Sequence, residues 1–98
     1  MLFKEELATR YKTALNAKIQ SEVDPLFEEI KEACIKAVEN ARASLDFDLE
    51  EVDSSIRTMV GRALEIKINR ELELTAKFIV DSSGHDTTYN IRINGWAR

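Results

Sequence analysis

The chain has 98 residues, 44% of them hydrophobic and 33% charged, with three Gly, one Pro, one Cys and a net charge of −4. This is the size and composition of one globular domain: it leaves no room for a second, is too apolar for a disordered chain, and contains no run of about 18 apolar residues to span a bilayer. The acidic balance argues against nucleic acid or anionic lipid as a general-affinity partner, a lone cysteine forms no internal disulfide, and the opening residues Met1-Leu2-Phe3-Lys4-Glu5-Glu6 do not read as a signal peptide. A cytoplasmic protein is therefore expected, stabilised by its own core or by a partner.

The spacing predicts a first helix over roughly residues 2–22, where Phe3, Leu7, Tyr11, Leu15 and Ile19 recur every four positions. Asp24-Pro25 reads as a stop followed by a new start, because Asp accepts a bond from a free backbone N–H and Pro suits the first helical position. A second helix is expected over 25–43, with Leu26, Phe27, Ile30, Ala33, Cys34, Ala37, Val38 and Ala41 as its apolar stripe. Leu45-Asp46-Phe47-Asp48-Leu49 then alternates with period two, as a short strand with one buried face does, and its acids suit a sheet edge. A third helix is expected over 52–70, capped by Asp53 or Ser54, with Ile56, Met59, Val60, Ala63 and Leu64 facing inward. Gly61 weakens it by about 1 kcal/mol unless a close contact uses the missing side chain. Leu72–Val80 and Thr87–Asn94 alternate as two strands of a hairpin around the turn residues 81–86.

The expected fold is α+β in the order α-α-β-α-β-β, a single domain over residues 1–98 that is helical over 1–44, followed by strand, helix and hairpin over 45–98. Its three strands form a small, mostly antiparallel sheet with the helices on one face. The pattern fixes the inward set as Leu45, Phe47 and Leu49; Leu74, Ala76, Phe78 and Val80; and Tyr89, Ile91 and Ile93.

Chemistry-bearing residues are sparse. His85 stands with Asp81 and Asp86 in what reads as an ordinary polar turn, and Cys34 lies on an apolar stripe, where a free thiol behaves as a small hydrophobe. The acids at 28, 29, 32, 46, 48, 50, 51 and 53 follow no calcium-loop spacing, and Gly61, Gly84 and Gly95 stand singly, outside any phosphate-binding loop. Arg57, Arg62, Lys67 and Arg70 read as a solvated helix face. No catalytic, cofactor-binding or metal-ligating residue is assigned, and the chain is not expected to be an enzyme. Both ends, however, carry large apolar groups, where chain ends are usually polar. Phe3, Leu7, Tyr11, Leu15, Ile19 and Trp96 are the candidate interface, and a homodimer is the expected way to cover them.

One pattern carries a resemblance. Ile30-x-x-Ala33-Cys34-x-x-Ala37 leads to Leu45-x-Phe47-x-Leu49, then to a helix and to a strand ending Tyr89-Asn90-Ile91-Arg92-Ile93-Asn94-Gly95-Trp96. Over residues 26–96 this resembles small accessory proteins of tailed bacteriophages, built as helix, strand, helix and hairpin. The resemblance implies a non-enzymatic protein that binds and inhibits or redirects a bacterial host protein, such as a defence or transcription component, in the host cytoplasm. The alternative it implies is a structural component of the phage particle. It transfers no catalytic residue.

Overall fold

A computed structural model of the chain describes residues 2–97. Helix α1 spans Phe3–Glu39, strand β1 Ser44–Asp48 and helix α2 Arg57–Lys67, which continues into a π-helical turn over Ile68–Leu72. Strands β2, Thr75–Asp81, and β3, Thr88–Asn94, complete the chain. The class is α+β with a three-stranded antiparallel sheet, as the periodicities predict.

Both segments flanking Pro25 are helical, but no break separates them: they are halves of one 37-residue helix. Proline in a helix interior costs about 3 kcal/mol. Here Val23 and Phe27, one on each side of it, are both buried in the same core. Burying two such side chains is worth roughly 1.5–3 kcal/mol each, enough to hold the helix through the proline. Asp24 does not cap a new start; its carboxylate accepts a bond from Gln20 Nε2 at 2.6 Å.

The helix ends in a Schellman arrangement. Arg42 N–H donates to Ala37 C=O at 2.8 Å and Ala41 N–H to Val38 C=O at 2.9 Å. Ala41 thereby takes a left-handed conformation, φ 57°, where glycine is the ordinary occupant because it has no Cβ to crowd the carbonyl. Ala41→Gly is expected to stabilise the fold by about 0.5–1 kcal/mol. An unchanged or lower urea midpoint would contradict this.

Helix α2 begins five residues later than the pattern suggests. Residues 49–56 form a tight loop in which Asp53 Oδ1 accepts bonds from Ser55 N–H at 3.0 Å and Ser55 Oγ–H at 2.9 Å. Leu49, Val52 and Ile56 are nevertheless buried. The apolar spacing is genuine, but the acid closes a turn ahead of the helix instead of capping it. At the other end the π turn and the left-handed Glu73, φ 55°, delay β2 to Thr75.

Strand β3 is central, in the order β1-β3-β2. Leu45 and Ala76 flank Ile93, and Phe47 and Phe78 flank Ile91. This is the expected register, with the expected set on the helix-covered face. Only Val80, at the hairpin end, is largely exposed. The opposite face carries polar residues such as Asp46 and Arg92, paired at 2.9 Å. Strand β1 is an edge, as its acids suggested.

The edge of β2 is closed by side chains. Asn69 accepts from Ala76 N–H at 3.0 Å and donates to Ala76 C=O at 2.9 Å, and Glu65 accepts from Phe78 N–H at 2.6 Å. Helical side chains thus stand in for a fourth strand on that side, which blocks edge-to-edge pairing there.

Candidate interaction surface

The core occupies only part of α1. Val23, Phe27, Ile30, Cys34 and Ala37 are its buried residues. A 37-residue helix is roughly 55 Å long, which accounts for the molecule's 57 Å longest dimension. The radius of gyration is 16.0 Å, against about 13 Å for a compact chain of this length. The N-terminal part of α1 is therefore a projection.

The candidate interface residues divide along this helix. Leu15 and Ile19 are half-buried and pack against the core. Phe3 is 71% exposed, Tyr11 69% and Leu7 49%, with Leu2 beside them. The cause is the four-residue spacing itself. At about 100° per residue, each step of four advances the stripe by about 40°. A stripe seated on the core at Ile19 has wound most of the way to the opposite side by Phe3. Trp96 falls with Leu15 and Ile19. It is half-buried and packed against the core, and its indole N–H donates to Arg42 C=O at 2.8 Å, fastening the chain end to the turn after α1.

Where the projection leaves the body, Lys18 Nζ meets Asp53 Oδ2 at 2.9 Å. The Ser55 backbone N–H and then Lys18 hold the Asp53 carboxyl down, from 3.8 to about 2. A depressed carboxylate pKa stabilises the fold fully above the unfolded value and loses that effect as pH falls through the folded one. This contribution accordingly disappears between about pH 4 and pH 2. Asp53→Asn is expected to flatten the acid decline of the melting temperature across that window; parallel profiles for the two proteins would contradict it.

Several of the polar residues singled out in the sequence have structural work. Asp81 accepts from Ser83 N–H at 2.9 Å, closing the hairpin turn, and the Ser83 hydroxyl and N–H hold its carboxyl below the usual range. His85 is exposed in that turn, and among the described residues no cluster of His, Cys, Asp and Glu is arranged to hold a metal ion. Burial pushes the Cys34 thiol up, away from the reactive thiolate. Lys67 pairs with Glu71 at 2.9 Å and lies 4.7 Å above the Phe27 ring.

Arg57 is not on a solvated face. Its guanidinium donates to the carbonyls of Leu49 at 3.1 Å, Glu50 at 2.8 Å and Val52 at 2.9 Å, and stacks 4.9 Å from the Tyr89 ring. Charge pattern alone gave no signal for this role, nor for Asn69 and Glu65 at the β2 edge, because each partner is brought up by the tertiary fold. Among the described residues no helix is both long and apolar enough to cross a membrane. Comparison with known proteins finds no matching family model, curated protein or solved structure.

Proposed function

We propose that this chain is a non-enzymatic interaction protein that self-associates through the projecting half of α1 and, as a homodimer, binds and blocks or redirects a protein of a bacterial host. The observation that carries the reading is the exposed group Leu2, Phe3, Leu7 and Tyr11 on a helix that outreaches its own core. Removing large apolar side chains of this kind from water is worth roughly 1.5–3 kcal/mol each, and soluble monomers rarely leave such a stripe open. Asp53 and Asp81 are meanwhile engaged in turns, Arg57 in a loop clamp and Asn69 at a strand edge. The host protein as further partner rests on the resemblance to phage accessory proteins.

Light scattering at micromolar concentration tests the reading. A dimer is expected, and Leu7→Asp is expected to give a folded monomer with unchanged helical circular dichroism. A wild-type monomer would sink the proposal. A ring or an open polymer would turn it toward a building block of a particle. Capture from bacterial lysate should then retain a host protein on the wild type and lose it with the variant.

A further inference from the structure

We propose that the occupant of the projecting stripe is the far end of α1 in a second copy, in an antiparallel pair that seats Phe3 and Leu7 of one chain against Val38 and Ile35 of the other. This rests on the self-association proposed above and adds its geometry.

The helix is exposed and apolar at both ends. Ile35 is 59% exposed and Val38 51%. They border a groove of about 260 Å³ whose other walls are Cys34, Glu39, Leu74 and Trp96, so that Glu39 is its one charged wall. Counting alternately four and three residues from Phe3 passes through Leu7, Ala14, Ala17, Ser21, Ile35 and Val38, with the charged Arg10, Asp24, Glu28 and Lys31 between them, so the row is apolar at its two ends and polar along its middle. That is the spacing of a helix-pair seam, and apart from the half-buried Lys31 every side chain on it faces solvent in the single chain. Folded antiparallel, the seam closes on itself. Phe3 meets Val38, Leu7 meets Ile35, and a two-fold axis passes near Ser21, where Ala17 and Ala14 of each chain face Asp24 and Glu28 of the other.

Charge selects this direction. Residues 1–18 hold Lys4, Arg10, Lys12 and Lys18 against Glu5 and Glu6, a net +2. The rest of α1 holds Lys31 and Lys36 against Glu22, Asp24, Glu28, Glu29, Glu32 and Glu39, a net −4. A parallel pair stacks like on like along its length, whereas the antiparallel pair lays the basic projection on the acidic half. The Arg10 layer faces Lys31, but the Lys31 ammonium is drawn to Glu28 at 2.9 Å and over the Phe27 ring at 5.1 Å. Arg10 in turn is paired with Glu6 of its own chain at 3.0 Å, so each cation of that layer has its own carboxylate.

Spin-label distances test the arrangement in the full chain carrying Cys34→Ser, with one label at Lys4→Cys or at Gln20→Cys, both off the seam. At about 1.5 Å per residue the antiparallel dimer places the two labels at position 4 about 50 Å apart and those at position 20 within about 20 Å. Two short distances would mean a parallel pair, and two long ones an interface elsewhere. Either result overturns this inference while leaving self-association standing. A monomer by light scattering overturns the self-association itself. As a second arm, Ile35→Asp is expected to dissociate the dimer as completely as Leu7→Asp does, each leaving folded chains. A dimer that survives Ile35→Asp overturns the pairing.

Discussion

Gly61→Ala is expected to destabilise the fold by about 1–3 kcal/mol in a denaturant titration, although alanine is the better helix former by about 1 kcal/mol. The sign is decided by tertiary contact. Gly61 lies in the middle of α2, buried, with the Phe78 ring of β2 against its Cα; a Cβ there overlaps the ring. Phe78 has little freedom to withdraw. It is paired with Ile91, its N–H is held by Glu65, and its ring stacks on Tyr89 with centroids 6.5 Å apart. Relief requires α2 to lift from the sheet, which loosens Val60 and Leu64, both fully buried. A paired variant locates the cause. Phe78→Leu alone leaves a small void, but combined with Gly61→Ala it should recover part of the loss, because the methyl then has somewhere to go. A Gly61→Ala protein as stable as the wild type would mean that the helix and sheet are not in contact there.

Arg57→Ala is expected to destabilise by about 2–3 kcal/mol, the range for losing hydrogen bonds made by a charged donor. The guanidinium gathers the carbonyls of Leu49, Glu50 and Val52, and so holds the loop that carries the chain from β1 to α2. Without it, carbonyls next to the buried Leu49 and Val52 lose their donor. Lysine keeps the charge but not the planar fork. Arg57→Lys should therefore restore less than half of the loss. Equal stability of the lysine variant and the wild type would show that charge alone suffices. The same loop holds Asp53, which anchors Lys18. Arg57→Ala is therefore also expected to raise hydrogen exchange in α1 around residues 14–19.

Whatever depends on periodicity was legible in the residues alone. Alternation over Leu45–Leu49, Leu74–Val80 and Tyr89–Ile93 set both the strands and their inward face, because a slip of one residue exposes every apolar side chain at once. The four-residue spacing from Phe3 to Ile19 likewise announced an apolar stripe in excess of what a small core covers. The conditional reading of Gly61 also stood in the sequence, though not the ring that occupies the space.

Features that depend on competition between local preference and distant contact were settled only by the folded arrangement. Pro25 is a helix stop by local rules, and only the shared burial of Val23 and Phe27 overrides it. Asp53 is an equally good cap or turn former, and the positions of Val52 and Ile56 in the core select the turn. Arg57, Glu65 and Asn69 are solvated polar residues to any pattern; their partners lie on a neighbouring loop or strand and meet them only when the chain has folded. The candidate interface residues divide for the same reason. Leu15 and Ile19 join the core and Phe3, Leu7 and Tyr11 do not, because a single continuous helix carries the stripe around and beyond the body that would otherwise have covered it.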